Sequence, residues 1–149
     1  PILGYDHPLT VGGPFSLAKI YQLQGKLKPA IKLLESVISH ESWREDNERV
    51  ISAYNTLADL YLEDHRTQEA IIFKNKSLSI ATKLLTANSP TTVSQMLKTI
   101  KFYLTINQLE STKALILQVT KLLAEDESLA SSFQSQLDEL TEKLNGLAH

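Results

Sequence analysis

Leu17-Ala18-x-x-Tyr21 recurs as Leu57-Ala58-x-x-Tyr61 and, in a weaker form, as Thr99-Ile100-x-x-Tyr103. The three tyrosines are 40 and 42 residues apart, and each is followed after 9 residues by a small residue: Ala30, Ala70 or Thr112. A fixed period in this range is typical of stacked helical repeats, none of which buries its apolar face alone. The motif therefore predicts an all-α repeat architecture.

Composition limits the classes of function open to this chain of 149 residues. A hydrophobic content of 42% is sufficient for a packed core, and the length suits one domain or one part of a longer array. The net charge of −2 gives no electrostatic case for binding nucleic acid or an anionic membrane surface. No apolar run is long enough to span a bilayer. The absence of cysteine excludes disulfides and thiolate catalysis and agrees with the cytoplasmic location that we expect.

Helical periodicity continues from about Pro8 to Leu147 and predicts three helix pairs. Pro8 and Pro90 each lie thirteen residues before a motif tyrosine, and Asn47 is an N-cap candidate near the corresponding point of the middle copy. First helices are expected at 8–24, 47–64 and 90–105, and second helices at 28–40, 67–86 and 109–124. The turns between them fall at Gly25, His65 and Asn107, of which His65 fits a left-handed turn least well.

Two positions fit this helical pattern poorly. Gly12-Gly13-Pro14 lies inside the first predicted helix, where Pro14 removes a backbone hydrogen bond and predicts either a kink or a later helix start. Lys74 occupies a position where the pattern requires an aromatic residue. Either the neighbouring Phe73 takes that place, or the lysine stem lies along apolar surface.

The last segment is amphipathic and carries apolar residues at helical spacing: Leu129, Phe133, Leu137, Leu140 and Leu144. Its other face is polar, which suits a helix that caps the end of a repeat array. The alternative is a docking surface for a further repeat or for a second copy of the chain.

These motifs resemble the tetratricopeptide repeat, whose pattern combines Leu-Gly-x-x-Tyr with a later alanine. The lead-in Leu3-Gly4-x-Asp6-His7-Pro8 is similar to the segment that joins repeats in the kinesin-light-chain-like branch of that family. The resemblance implies an all-α, right-handed solenoid of three helix-turn-helix repeats plus a capping helix. Residues 1–7 would be the tail of a preceding repeat or a linker, followed by repeats at 8–46, 47–88 and 89–126 and by the capping helix and C-terminal end at 127–149.

The resemblance also implies that the first helices line a concave groove for a protein or peptide partner. Side chains opposite the packed Leu, Ala and Tyr positions would then face the groove: Phe15, Lys19, Gln22, Asn55, Asp59, Leu62, Leu97, Lys101 and Thr105. This mixture of amide, charged and apolar groups suits an extended peptide. The alternative is that these residues form only a solvated inner face. Asp59 argues against a site that grips a C-terminal carboxylate, because it would repel that group.

No catalytic, cofactor-binding or metal-binding cluster is expected in this sequence. The histidines have no metal-ligand spacing: His7, His40, His65 and His149. We interpret the acidic cluster as a solvated loop rather than an acid/base pair: Glu41, Glu45, Asp46 and Glu48. We interpret Trp43, the only tryptophan, as a wedge between repeats rather than a binding residue, and the three motif tyrosines as core residues.

The leading hypothesis for function is a non-catalytic scaffold that binds a peptide or partner-protein segment in the groove, without a cofactor, nucleic acid or membrane. One alternative is a regulatory or sensory segment of a larger multidomain signalling protein. The other is a self-association module that forms homo-oligomers through the last helix.

Overall fold

The computed structural model describes residues 12–147, and these residues form helices without any strand. In chain order they are α1 (Gly12–Leu23), α2 (Leu27–Ile38), α3 (Arg49–Glu63), α4 (Thr67–Leu84), α5 (Pro90–Thr105), α6 (Leu109–Glu125) and α7 (Glu127–Leu147). The predicted all-α class is confirmed. The bounds of α2 to α6 agree with the predicted ones to within two residues. The expected start of α1 at residue 8, the tail at 1–7, His7 and His149 lie outside the described residues.

The chain divides into two compact units between Ile80 and Ala81, within helix α4. In the first unit, α2 packs against α1 and α3, and α3 also contacts α1. In the second unit, α7 packs against both α5 and α6. Helix α7 therefore has the same relation to the α5–α6 pair as α3 has to the α1–α2 pair.

Polar side chains cap three of the helices at their N-termini. Ser89 Oγ accepts a hydrogen bond from the Thr91 N–H at 3.2 Å, with Pro90 in the first helical turn as predicted. Asn47 Oδ1 accepts from the Arg49 N–H at 3.0 Å, but the residue directly before α3 is Glu48, so Asn47 acts one position earlier than an N-cap. Asp126 Oδ1 accepts from the Leu129 N–H at 3.1 Å and so satisfies an amide at the start of α7.

The turn that ends each first helix has one backbone geometry in all three pairs. Its central residue is left-handed each time, with φ of 75° at Gly25, 61° at His65 and 61° at Asn107. The carbonyl of each motif tyrosine accepts from the N–H five residues later: Lys26 at 2.8 Å, Arg66 at 2.7 Å and Gln108 at 2.8 Å. This is a Schellman cap, which satisfies carbonyls at the helix end. Histidine, like Asn, is enriched among the side chains that tolerate positive φ, so His65 is compatible with this turn.

Small residues occupy the helix crossings that the motif predicted. Ala30, Ala70 and Thr112 have no exposed surface. Thr112 is compatible with this position because its hydroxyl donates to the Gln108 carbonyl of its own helix at 2.8 Å. The degenerate third copy of the motif therefore keeps the same crossing without leaving a buried hydroxyl unsatisfied.

The two poorly fitting positions are accommodated by the first unit. Both alternatives at Lys74 occur: the Phe73 ring lies 5.2 Å from Tyr54, while Lys74 is 6% exposed with its Nζ 3.8 Å from Asp59 Oδ1. A buried ammonium requires such a carboxylate partner. The stretch from Gly12 to Pro14 is helical, so the later start of α1 at Pro14 is not observed.

The apolar stripe of α7 packs within the second unit. Its leucines are buried: Leu129, Leu137, Leu140 and Leu144, with Phe133 half-buried. The exposed face consists mainly of Ser, Gln, Asp and Glu side chains. This arrangement agrees with a capping role, whereas the predicted homo-oligomer through the last helix would need a different part of its surface.

Candidate partner-binding groove

A groove runs between α5 and α7 in the second unit. Two adjoining cavities of about 610 Å³ and 320 Å³ form it, and they share Lys101 and Leu140. The larger is also lined by Leu104, Thr105, Lys143, Gly146 and Leu147. The smaller is also lined by Ser94, Leu97, Lys98, Gln136 and Glu139. Cavities of this size hold side chains or small ligands.

The spacing of residues on α5 builds one wall of the groove. Leu97, Lys101 and Thr105 are four residues apart, so helical geometry places them on one face. Leu97 is 3% exposed and belongs to the apolar floor, whereas Lys101 and Thr105 are exposed above it. The Thr105 hydroxyl donates to the Lys101 carbonyl at 2.9 Å, which holds that side chain against its own helix.

The rim of the groove carries an excess of positive charge. Three lysines and one glutamate line the two cavities: Lys98, Lys101, Lys143 and Glu139. Lys143 Nζ lies 3.3 Å from Glu139 Oε1. Neither Lys98 nor Lys101 forms an ion pair with another residue of the described range 12–147. An apolar floor beneath two uncommitted ammonium groups suits a ligand with an apolar group next to a negative charge.

Residues 16–83 match the family model of the tetratricopeptide repeat. This part of the chain is therefore similar to tetratricopeptide repeats. It contains the two stronger copies of the motif that the sequence shows. No curated protein sequence matches the chain.

Solved structures extend the likeness in fold to nearly the whole chain. A kinesin-light-chain-type protein of Podosopora anserina, built of nearly identical TPR-like repeats, aligns with a TM-score of 0.74 and 22% identity, over 98% of this chain and 78% of that one. A variant of the same protein aligns with a TM-score of 0.73 and 21% identity, over 97% and 77%. PcrH from Pseudomonas aeruginosa aligns with a TM-score of 0.54 and 16% identity, over 91% and 94%. The chain therefore has a tetratricopeptide-like fold, and its predicted resemblance to kinesin-light-chain repeats is confirmed.

The groove residues predicted for the third tetratricopeptide copy lie together in the structure. Leu97, Lys101 and Thr105 all line the cavities between α5 and α7. The opposite wall on α7 is absent from the predicted groove residues, because the amphipathic pattern of that segment predicts a cap or a docking surface for a further repeat or a second copy. A register signal was available: Leu140 lies thirteen residues after Glu127, as Tyr103 does after Pro90. If α7 is interpreted as the first helix of another helix pair, the same register predicts that its side chains form the second wall of the groove.

Two of the predicted groove residues in the first unit contact neighbouring elements. The Phe15 ring centroid lies 6.2 Å from that of Trp43. The Gln22 Nε2 donates to Glu63 Oε1 and so joins α1 to α3. The Gln22–Glu63 contact links the first copy of the motif to the second, whereas the Phe15–Trp43 contact lies within the first.

The other four predicted residues of the first unit differ in exposure and partners. Lys19 is exposed on α1, and Asn55 and Leu62 are half-buried on α3. The side chain of Asp59 is 58% exposed and faces Lys74, so its charge is partly balanced by a residue that the sequence argument did not pair with it. A groove role for the six first-unit residues stays a prediction.

Trp43 packs between the first two tetratricopeptide copies. Its ring centroid lies 6.2 Å from Phe15 and 6.0 Å from Tyr54. The indole N–H donates to the Tyr54 hydroxyl at 3.0 Å, and that hydroxyl donates to Glu45 Oε1 at 2.6 Å. Trp43 therefore has the position expected for a wedge, and Glu45 of the acidic loop orients the tyrosine beneath it.

Tyr61 forms a second network, which joins α2, α3 and α4. Its hydroxyl donates to Glu35 Oε2 at 2.8 Å, and the guanidinium of Arg66 lies 4.5 Å from the centre of its ring. Arg66 is also close to two carboxylates, with Nη2 3.8 Å from Glu35 and Nε 3.6 Å from Glu69. Tyr61 is thus a buried packing residue, and its hydroxyl already has a hydrogen-bond partner in Glu35.

Tyr54 and Tyr61 are expected to make the helices sensitive to alkali. Burial, followed by the hydrogen bond to Glu45, raises the pKa of Tyr54 well above its usual value, and burial and Glu35 do the same for the pKa of Tyr61. The unfolded chain releases these protons near pH 10, so the stability they contribute is present below about pH 10 and is lost as the pH rises further. Tyrosinate absorbance, followed together with far-UV circular dichroism, should show the last tyrosines ionising only as helicity falls. Ionisation of every tyrosine with helicity intact would contradict this expectation, and the chain in urea provides the control titration.

The described range 12–147 carries neither of two further kinds of site. No group of three or more His, Asp or Glu side chains in that range is placed to hold a metal ion. No helix in the described part of the chain combines the length and the hydropathy of a membrane span.

Proposed function

We propose that this chain is a non-catalytic scaffold that binds a segment of a partner protein in the groove between α5 and α7. Tetratricopeptide repeats mediate protein–protein interaction as a class, and the matched family is typically non-catalytic. The single observation that carries the finer proposal is the groove itself: an apolar floor under two lysines that have no ion-pair partner among the described residues.

The chemistry of the groove defines the segment that it would bind. An apolar side chain of the partner would fill the larger cavity against Leu104 and Leu140, where burial removes apolar surface from water. A neighbouring carboxylate would lie near Lys101 and Lys98, whose charges are not balanced by another described residue. Charge complementarity of this kind sets the register of the bound segment.

A cytoplasmic location stays a prediction.

Lys101→Ala is expected to weaken binding of such a segment by about tenfold, because one charge-assisted contact is lost at the centre of the groove. The segment is found by probing an array of acidic and apolar peptides with the purified chain, and its affinity is then measured by calorimetry. Lys121→Ala is the matched control, since Lys121 is also exposed but lies on α6 and lines neither cavity.

Two results would contradict the groove proposal. One is equal affinity of the Lys101→Ala and Lys121→Ala variants for the selected peptide. The other is a set of peptide-induced NMR shifts that excludes α5 and α7, since direct contact must change the environment of Leu104 and Leu140.

A further inference from the structure

The smaller cavity of the α5–α7 groove collects hydrogen-bond donors from both of its walls. Its volume is about 320 Å³, and it adjoins the larger cavity, whose lining includes three leucines. Helix α5 contributes a hydroxyl and two ammonium groups to the smaller cavity, and α7 contributes an amide. The side chains that carry these donors are Ser94, Lys98, Lys101 and Gln136.

Helical spacing brings these donors together. Ser94, Lys98 and Lys101 are separated by four and three residues, so they lie along one face of α5. Gln136 lies one turn before Leu140, which lines the same cavity from α7. Because α7 packs against α5, a ligand in the cavity meets donors on two sides.

The four donor side chains are available to a ligand. Within residues 12–147, none of them has a hydrogen-bond or ion-pair partner. Ser94 is half-buried, and its hydroxyl makes no bond to a carbonyl of its own helix. Two other hydroxyls of α5 do so, since Thr99 donates to the Gln95 carbonyl at 2.8 Å and Thr105 to the Lys101 carbonyl at 2.9 Å. An acceptor that enters the cavity would give Ser94 the hydrogen bond that a half-buried hydroxyl favours.

The charge of the groove matches a doubly negative group. Three lysines and one glutamate line the two cavities, which leaves a net charge of +2. The glutamate, Glu139, is paired with Lys143 at 3.3 Å, so the unbalanced charge lies on Lys98 and Lys101. A carboxylate brings one negative charge and two oxygens to this site. A phosphorylated serine or threonine brings a charge of about −1.5 to −2 and three strong acceptor oxygens, and it therefore satisfies more of the donors.

We infer that the smaller cavity binds the phosphoryl group of a phosphorylated serine or threonine in the partner segment, next to the apolar side chain that fills the larger cavity. The inference rests on the proposed function and makes a phosphoryl group the preferred anion of the bound segment. Lys98 and Lys101 supply charge-assisted hydrogen bonds to its oxygens, and Ser94 and Gln136 supply neutral ones. Binding then depends on whether the partner segment is phosphorylated.

The test repeats the array of acidic and apolar peptides in three matched versions. The acidic residue of each peptide is phosphoserine in one version, glutamate in the second and serine in the third. Fluorescence anisotropy then gives the affinity of the chain for the best-bound sequence in all three versions. We expect the phosphoserine peptide to bind at least about tenfold tighter than the serine peptide and about threefold tighter than the glutamate peptide.

Lys98→Ala separates the phosphoryl site from the rest of the groove, because Lys98 lines only the smaller cavity. The variant should weaken binding of the phosphoserine peptide by about tenfold and leave the affinity for the serine peptide nearly unchanged. Lys121→Ala is the matched control, since Lys121 is exposed on α6 and lines neither cavity. Circular dichroism of both variants checks that the helices are intact.

The possible outcomes distinguish failure of this inference from failure of the proposed function. Equal affinity for the phosphoserine and glutamate peptides, or equal binding of the phosphoserine peptide by Lys98→Ala and Lys121→Ala, overturns the inference alone, because peptides still bind the groove. Inorganic phosphate that binds as tightly as the phosphoserine peptide also overturns it, since the cavity would then hold a separate anion. If no peptide of any version binds at millimolar concentration, both fail.

Discussion

Leu57→Ala is expected to lower the free energy of unfolding by about 2–5 kcal/mol, the range for truncation of a buried leucine. Leu57 has no exposed surface, and its helix α3 packs against both α1 and α2. Its removal takes away apolar burial and leaves a cavity, because the surrounding helices cannot collapse fully around alanine. The effect should be largest in the first unit, where all of these contacts lie.

Leu17→Ala is the internal control for this prediction. It makes the same chemical change at the same register of the motif, but Leu17 is 41% exposed, so the expected loss is below about 1 kcal/mol. Urea denaturation followed by far-UV circular dichroism measures both changes. Equal losses of unfolding free energy in the two variants would contradict this prediction. They would show that the position of a leucine in the motif, and not its burial, determines how much it stabilises the chain.

Ala70→Leu is expected to destabilise the chain by about 1–3 kcal/mol through overpacking. Ala70 has no exposed surface and lies in the first turns of α4, at the crossing that follows the Arg66 turn. A leucine there would force neighbouring side chains out of their rotamers or displace the helix, since interiors are close-packed. The expected result is a lower melting temperature with a native-like circular dichroism spectrum below the transition.

Ala114→Leu is the matched control for this second prediction. Ala114 lies in α6, which is also a second helix of its pair, but it is exposed. Leucine is close to alanine in helix propensity, so the expected change is within about 0.5 kcal/mol. A comparable loss of stability at both sites would contradict a packing requirement at Ala70.

The helices and their turns were predictable because the signals that determine them are local. Pro90 with Ser89 before it, and Gly25 or Asn107 in the left-handed position, act through the backbone of a few neighbouring residues. The buried small residues at 30, 70 and 112 were predictable from the fixed offset to each tyrosine. His65 shows where residue preference alone is weak, since its turn is set by the same tyrosine carbonyl contact as the other two.

The candidate groove was only half predictable. One wall follows from the period of a single helix, which places Leu97, Lys101 and Thr105 on one face. The other wall depends on how α7 packs against α5, and an amphipathic pattern shows that a helix has a buried face without showing which helix it contacts.

The sequence by itself determined that this chain is a tetratricopeptide-like array of helices. It also determined where the turns lie and which small residues occupy the helix crossings. These features depend on backbone conformation and residue size at short range. Only the tertiary structure decided which side chains share an environment. It paired Lys74 with Asp59, placed Trp43 between Phe15 and Tyr54, and left Leu17 exposed while it buried Leu57 at the same point of the motif. Burial and ion pairing arise between residues far apart in sequence, and two identical motifs therefore differ according to what packs against them.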